Sequence, residues 1–127
     1  GYTVAYCTDL DTHLDPMLQT FYPLFLVVGH DEYWTKEMRD ALETRVIKGQ
    51  NLAIFGGNTC WWQVRVSNSA DQIICYKDPH ADPLYGVDNS RVTVNWYGSP
   101  VLRPENLLTC ASFRFGGYVN TQGAGPG

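Results

Sequence analysis

The first part of the chain alternates apolar runs typical of strands with patterns typical of helices. Residues 2–7 are rich in aromatic and β-branched side chains and predict a strand. Residues 14–21 contain Asp15-Pro16, which suits the first turn of a helix, and predict a short helix. The unbroken apolar run over residues 24–28 then predicts a strand covered on both faces, as in a parallel sheet.

A helix and a further strand continue this alternation. Thr35 predicts the N-cap of the helix, and Gly49 predicts its end at the C′ position. Four apolar residues at helical spacing form one face of this helix: Met38, Ala41, Leu42 and Val46. Residues 52–55 predict the next strand. Two strand–helix–strand units in succession, with short connections, indicate an open parallel sheet.

The second part of the chain predicts β-structure of a different kind. Residues 63–66 and 72–76 predict two strands joined by a turn at residues 67–71. Residues 78–88 are rich in Pro, Asp and Gly and predict a long loop, and residues 92–97 predict one more strand.

The fold class that these elements predict is α/β, with an open doubly wound parallel sheet and a partly antiparallel C-terminal extension. We expect one domain over residues 1–122 and a flexible Gly-rich tail over residues 123–127. Because the chain begins inside a predicted strand, we expect it to be a fragment of a longer protein.

The composition narrows the range of partners. Of the 127 residues, 44% are hydrophobic and 17% are charged, which suits a globular domain, and the net charge of −4 comes with no basic stripe. We therefore expect no nucleic-acid partner. No apolar run approaches the roughly 20 residues that span a bilayer, so we expect no membrane partner. A homo-oligomer, or association with the rest of a longer chain, is left open.

Four cysteines lie too far apart for the paired spacing of a metal site: Cys7, Cys60, Cys75 and Cys110. Their even number permits two disulfides, but Cys7 lies among apolar neighbours, where a free thiol behaves as a small hydrophobe. We expect buried free thiols, which is a weak indication of a cytoplasmic location.

Polar residues follow two consecutive predicted strands, where the loops of a parallel sheet meet and bind ligands. Gly29-His30-Asp31-Glu32 follows the first and Gly56-Gly57-Asn58 follows the second. His30 and Glu32 are two residues apart, so in an extended backbone their side chains point the same way and can bind a metal or transfer protons. The alternative is that the carboxylates only cap the next helix and that Tyr33 and Trp34 only pack it onto the sheet.

Three segments carry a resemblance to a known family: residues 28–34 (VGHDEYW), residues 38–42 (MRDAL) and residues 56–65 (GGNTCWWQVR). They resemble the C-terminal domain of the large (beta) subunit of N,N-dimethylformamidase, and the likeness extends to Thr8-Asp9-Leu10-Asp11 and to Arg103-Pro104-Glu105-Asn106. The resemblance implies a class I glutamine amidotransferase-like fold. Arg103 and Glu105 have no assigned role beyond an ion pair that closes the C-terminal segment.

The resemblance also implies an iron-dependent hydrolase that cleaves the C–N bond of a small amide. Its iron is held by two tyrosines and a glutamate; Glu32 matches that glutamate, and His30 and Asn58 match the histidine and asparagine of the site. Iron would act as a Lewis acid, with His30 as general base and Asn58 holding the substrate or its oxyanion.

The two tyrosine ligands have no counterpart in this chain. Tyr2, Tyr6 and Tyr22 are present, but none matches the motif of the family. We therefore expect the ligands to come from a longer parent protein, or the site to hold no iron.

Two other functions are left open. Cys60 follows a Gly-Gly turn and could serve as the nucleophile of an amidotransferase-like hydrolase, with His30 as its base. The chain could also be a non-catalytic binding or interaction domain.

Overall fold

The computed structural model describes residues 1–113, apart from the side chains of Gln19 and Thr20. The helices are α1 (Asp9–Leu14), α2 (Lys36–Ile47) and α3 (Asn106–Thr109), and the strands are β1 (Leu24–Val28), β2 (Tyr33–Thr35), β3 (Asn51–Phe55), β4 (Trp62–Val66) and β5 (Ile73–Ile74). Short 3-10 helices cover Leu18–Phe21, Pro79–Ala81 and Asn89–Arg91. The predicted tail at residues 123–127 lies outside the described residues. Among those described, no helix is both long and apolar enough to cross a membrane.

The strands form two small open sheets in place of the single sheet that the sequence predicts. β1 pairs with β3 in parallel, and β2 pairs with β4 in parallel. β4 also pairs with β5 in the antiparallel sense, so the second sheet is mixed. The α/β class and the antiparallel C-terminal part are thus confirmed, whereas a doubly wound sheet is not what the described residues form.

The unit β1–α2–β3 agrees closely with the sequence prediction. The Thr35 hydroxyl caps α2 by accepting the Met38 N–H at 3.2 Å. Gly49 follows the last turn with φ +97°, a conformation that glycine adopts without strain. Leu42 and Met38 are buried on the predicted helix face.

The N-terminal segment differs from its prediction. Residues 2–7 form no strand, and Tyr2 and Tyr6 are almost fully exposed. Their β-prone side chains have no neighbouring strand in the described part of the chain, and strand propensity takes effect only where such packing exists.

The first helix begins earlier than predicted, at Asp9. Thr8 and Asp11 form a reciprocal cap, in which the Asp11 N–H donates to the Thr8 hydroxyl and the Thr8 N–H donates to the Asp11 carboxylate at 2.8 Å. Asp15 follows the end of α1, and its carboxylate accepts the Met17 N–H in a turn. The helix predicted over residues 14–21 is therefore reduced to the 3-10 helix Leu18–Phe21, and its Asp-Pro pair belongs to the turn after α1.

The predicted strand over residues 92–97 is also wrong, apart from one isolated bridge between Asn95 and Trp62. This segment crosses the core in an irregular path with Val92, Thr93, Val94 and Trp96 buried. Its apolar residues were correctly expected to be inside. The predicted strand over residues 72–76 is reduced to Ile73–Ile74.

The core lies between α2, the inner face of β1 and β3, and the C-terminal segment. Its buried members are Val27, Trp34, Met38, Leu42, Cys60, Trp96 and Leu108. The outer face of the same two strands is not covered by any described residue, since Leu24, Leu26 and Val28 on β1 and Phe55 on β3 are exposed. The prediction of a strand buried on both faces is thus wrong for β1.

Arg39 joins α2 to the C-terminal segment from inside the core. Its guanidinium is fully buried and donates to the carbonyls of Arg103 and Pro104 and to Glu43. It also lies 4.5 Å from the centre of the Trp96 ring. A buried cation requires such acceptors, because a buried charge without them strongly destabilises the folded protein.

Arg103 reinforces the same junction from the surface. Its two terminal nitrogens pair with Asp40 and Glu43, each at 2.7 Å. Glu105 is buried and accepts from the Ser112 hydroxyl. An ion pair that closes the C-terminal segment is therefore present, with partners on α2.

The backbones that carry β1 and β3 remain close beyond the strand ends. The Gly29 N–H donates to the Phe55 carbonyl at 3.0 Å, and a Cβ atom added to Gly56 would lie 1.8 Å from the carbonyl oxygen of Gly29. A Cβ atom added to Gly57 would meet no atom within 4 Å. Position 56 therefore excludes any side chain, whereas position 57 does not.

We predict that Gly56→Ala lowers the free energy of unfolding by about 3 kcal/mol, because the clash is with backbone that cannot rotate away. Gly57→Ala is the matched control and should change it by less than about 0.5 kcal/mol. Urea unfolding followed by tryptophan fluorescence measures both. Equal unfolding midpoints for the two variants would contradict the close approach at Gly56.

Candidate functional site

The structure brings His30 and Glu32 into direct contact in the loop between β1 and β2. His30 Nε2 lies 2.8 Å from Glu32 Oε2, and Trp62 Nε1 donates to Glu32 Oε1 at 3.0 Å. The side chain of His30 is 60% exposed, whereas that of Glu32 is 17% exposed. The carboxylate is therefore held from both sides, and the imidazole faces solvent.

Backbone hydrogen bonds fix the loop that carries this pair. The Asp31 carbonyl accepts the Cys60 N–H at 2.9 Å, and the Glu32 carbonyl accepts the N–H groups of Trp61 and Trp62, also at 2.9 Å. These bonds continue the parallel pairing from the β1–β3 sheet into the β2–β4 sheet. The site thus lies on two chain segments that are paired on either side of it, which limits its motion.

Asn58 lies in an arch of the second segment, directly opposite the loop. Between the bonds at Gly29 and Asp31, the first segment advances two residues while the second advances five, from Phe55 to Cys60. The extra residues form the arch, and Asn58 adopts a φ of +56°, a conformation that asparagine tolerates better than most residues. No hydrogen bond among the described residues joins Asn58 to His30 or Glu32, so its place in the site stays a prediction.

Asp31 is a titratable member of this loop that the sequence reasoning treated only as a helix cap. Burial raises the pKa of its carboxyl to about 6, and the negative charge of Asp9 adds to the shift. The Trp34 indole and the charge of His30 oppose it. Asp9 belongs to the segment Thr8-Asp9-Leu10-Asp11, which resembles the family. That resemblance was the sequence signal that could have placed Asp9 near the loop.

An aromatic surface with a lysine above it adjoins Glu32. Tyr33 on β2 and Trp62 on β4 are register partners, so they lie side by side across the sheet. Lys77 Nζ is 4.8 Å from the centre of the Trp62 ring and donates to the Tyr33 hydroxyl at 3.1 Å. Sequence reasoning placed Lys77 at the edge of a loop and gave it no role.

The other aromatic residues of the motif belong to the core or pack locally. Trp34 is buried in the core cluster, and the Trp61 ring lies 5.0 Å from that of Tyr97. The packing interpretation therefore holds for Trp34, whereas Trp62 contacts Glu32 of the site.

The geometry around Cys60 argues against a cysteine nucleophile. The thiol is fully buried, and burial raises its pKa to about 12, so it is protonated at neutral pH. A reactive cysteine needs an accessible thiolate. All four cysteines are free; burial is right for Cys60 but wrong for Cys7, which is exposed.

The described residues do not complete a metal site. No group of three or more His, Cys, Asp or Glu side chains that could hold a metal ion occurs within residues 1–113. Glu32 and His30 supply one carboxylate and one imidazole, and these already bind each other. The residues present therefore do not fit an iron centre by themselves.

A cavity of about 540 Å³ lies away from this loop, with His13, Glu37, Arg65 and Arg91 in its lining. None of the predicted site residues lines it. His13 lies in the last turn of α1, where its Nδ1 is 2.9 Å from the Thr35 hydroxyl. It joins α1 to the cap of α2.

We predict that Asp31 makes the protein less stable as the pH rises from about 4 to about 6. Because the pKa of Asp31 is raised in the folded protein, the unfolded chain loses this proton at a lower pH than the folded one. The free energy of unfolding therefore falls over this window and is constant above it. Asp31→Asn should become more stable relative to the wild type across the same window, by about 2 kcal/mol once partial exposure is allowed for.

The control for this measurement is Asp71→Asn. Hydrogen bonds from Ser69 and Ser67 lower the pKa of Asp71, which is the opposite direction, so this variant should show no such gain. Urea unfolding of the three proteins between about pH 4 and pH 7 supplies the comparison. A pH-independent difference between Asp31→Asn and the wild type would refute the assignment.

We predict that iodoacetamide labels Cys7 and Cys110 in the native protein while Cys60 stays unmodified, because the first two thiols are exposed and that of Cys60 is buried with a raised pKa. Peptide mass spectrometry after a timed reaction measures the labelling, and the urea-unfolded chain is the control in which every cysteine reacts. Labelling of native Cys60 as fast as Cys110 would restore the nucleophile hypothesis.

Comparison with known proteins identifies the family. The family model described as N,N-dimethylformamidase beta subunit-like, C-terminal, matches residues 1–124, so the chain belongs to this family. No curated protein and no solved structure matches the chain.

Proposed function

We propose that this member of the N,N-dimethylformamidase beta subunit-like C-terminal family contributes part of the active site of an amidohydrolase that cleaves the C–N bond of a small amide. The observation that supports this proposal most directly is the Glu32 carboxylate, held between His30 and Trp62 at the ends of the parallel strands. Ligands of open parallel sheets bind at such strand ends.

The contact with Glu32 determines which nitrogen of His30 serves as base. In the neutral imidazole, the proton lies on Nε2 and is donated to the carboxylate, so Nδ1 carries the lone pair. The exposed position of the ring gives Nδ1 access to water. Glu32 also stabilises the imidazolium that forms when Nδ1 takes up a proton.

The proposed reaction then needs two proton transfers. His30 Nδ1 removes a proton from water as its oxygen attacks the amide carbonyl carbon, and the Asn58 amide donates a hydrogen bond to the oxyanion. The imidazolium returns the proton to the amide nitrogen as the C–N bond breaks. The products are a carboxylic acid and an amine.

Iron stays a prediction of the family resemblance. Glu32 is the one residue of this chain that matches an iron ligand of the family, so an iron centre here requires ligands from outside residues 1–113. We likewise propose, on the basis of the parallel unit β1–α2–β3, that the core is of the class I glutamine amidotransferase type.

A non-catalytic interaction domain is the second candidate. The uncovered apolar face formed by Leu24, Leu26, Val28 and Phe55 favours it, because parallel sheets are normally covered on both faces. Under this hypothesis the apolar face, and not the Glu32–His30 pair, carries the function.

We predict that His30→Gln and Glu32→Gln each lower kcat/KM for a small amide by about 100-fold or more, because each removes part of the proton-transferring pair. Amine release measures the rate in the full-length protein, with a panel of amides that starts from N,N-dimethylformamide. His80→Gln is the control, since His80 is exposed, packs on Tyr85 and should leave the rate unchanged. Rates of His30→Gln within twofold of the wild type, or no hydrolysis of any amide by the wild type, would favour the interaction domain.

We also predict that the full-length protein contains iron and that Glu32→Ala loses it, because one carboxylate ligand disappears. Inductively coupled plasma mass spectrometry of the dialysed proteins measures the metal, with Asp71→Ala as the control, because Asp71 is an exposed carboxylate in the turn between β4 and β5. An equal iron content in the wild type and Glu32→Ala, or none in either, would exclude Glu32 as a ligand.

A further inference from the structure

Lys77 is a cation held in a fixed place beside the proposed site. Its ammonium lies over the rings of Trp62 and Tyr33, at 4.8 Å and 5.3 Å from their centres, and donates one hydrogen bond to the Tyr33 hydroxyl. A lysine side chain in water samples many rotamers, and holding it still costs conformational entropy. The aromatic contacts offset this cost and keep the charge near Glu32.

The ammonium has no carboxylate partner within the described part of the chain. Lys36 pairs with Asp40, whereas none of the ion pairs among residues 1–113 includes Lys77. An ammonium has three N–H groups, and the Tyr33 hydroxyl takes one of them. The hydrogen bond to Tyr33 raises the pKa of Lys77, so the group is charged at neutral pH.

The backbone at Lys77 has a conformation that is unusual for a residue with a side chain. Lys77 has a φ of +61°, in the left-handed region where glycine is free of strain and other residues are not. Its N–H donates to the Thr93 carbonyl at 3.0 Å, and the preceding Tyr76 N–H donates to the Thr93 hydroxyl at 2.9 Å. These bonds hold the conformation and direct the chain past the aromatic surface.

Trp62 connects the lysine to the proton-transferring pair. The edge of its indole donates to Glu32, and its face carries Lys77. The Glu32–His30 pair and a positive charge therefore adjoin the same indole. Among residues 1–113 the ammonium has no arginine fork or long-helix N-terminus in contact with it, so it suits a monoanion such as a carboxylate better than a phosphate.

We propose that Lys77 recognises a carboxylate on the substrate, so that the site takes small amides that carry a carboxylate, of the N-acylamino acid class. This inference rests on the proposed amidohydrolase function for its chemistry, but the binding that it describes is measurable without turnover. Lys77 is a specificity-determining residue in this account, and the reacting groups remain His30 and Glu32.

The test compares the binding of two probes that differ only in charge, N-formylglycine and its neutral amide N-formylglycinamide. The full-length protein is titrated with each probe, and the indole N–H resonance of Trp62 reports occupancy at this site in NMR spectra. We expect the carboxylate probe to bind about fivefold more tightly or better at low ionic strength, with the preference reduced in about 1 M salt. The preference should disappear in Lys77→Met and persist in Lys77→Arg and in the control Lys48→Met, which removes an exposed lysine at the end of α2.

Equal affinity for the two probes, binding of neither, or a preference that survives Lys77→Met overturns the proposal. Lys77 is exposed, so its replacement leaves the core intact and a lost preference reflects lost recognition. Failure of the amidohydrolase function has a different signature, in which N-formylglycine is bound with the full preference but no glycine is released.

Discussion

The side-by-side parallel path of two chain segments, residues 24–35 and residues 51–64, is the constraint on which the rest of this structure depends. The segments pair as β1 with β3, separate by a few residues, and pair again as β2 with β4. The separation places Asn58 in an arch of the second segment, between the backbone bonds at Gly29 and Asp31. It requires glycine at position 56, where the Gly29 carbonyl fills the space that a side chain would need. Backbone geometry, rather than side-chain attraction, thus determines where the candidate site forms.

A buried cation determines how the C-terminal segment closes on this frame. Arg39 satisfies its guanidinium with the carbonyls of Arg103 and Pro104, with Glu43 and with the face of Trp96. Removing one partner from such a buried network costs roughly 3–5 kcal/mol, because the remaining charge stays out of water without compensation. The irregular segment over residues 92–97 is held by the contact of Trp96 with Arg39, by its buried side chains and by backbone hydrogen bonds to Trp61 and Gln63.

The titratable groups of the candidate site differ in their exposure to solvent. His30 is exposed, whereas Glu32 and Asp31 are partly buried. His30 reaches solvent while Glu32 fixes its orientation, an arrangement that suits proton exchange with a small substrate. Asp31, one residue away, is buried enough to prefer its protonated form below about pH 6, and the nearby charge of Asp9 strengthens that preference. Lys77 adds a positive charge on the other side of Trp62. Burial and neighbouring charges therefore differ among these four titratable groups.

The sequence by itself determined the features that depend on local pattern. Periodicity and capping chemistry act over a few residues. They determine the unit β1–α2–β3, the cap of α2 at Thr35, the end of α2 at Gly49 and the α/β class. The proximity of His30 and Glu32 follows in the same way, since residues two apart in an extended backbone share a face. Tertiary structure alone decided that residues 2–7 form no strand, that residues 92–97 form one isolated bridge in place of a strand, and that Lys77 lies over Trp62. It also decided the partners of Arg39 and the burial of Asp31. These features depend on which distant residues meet, and that depends on the summed packing of the whole chain, which no local pattern records.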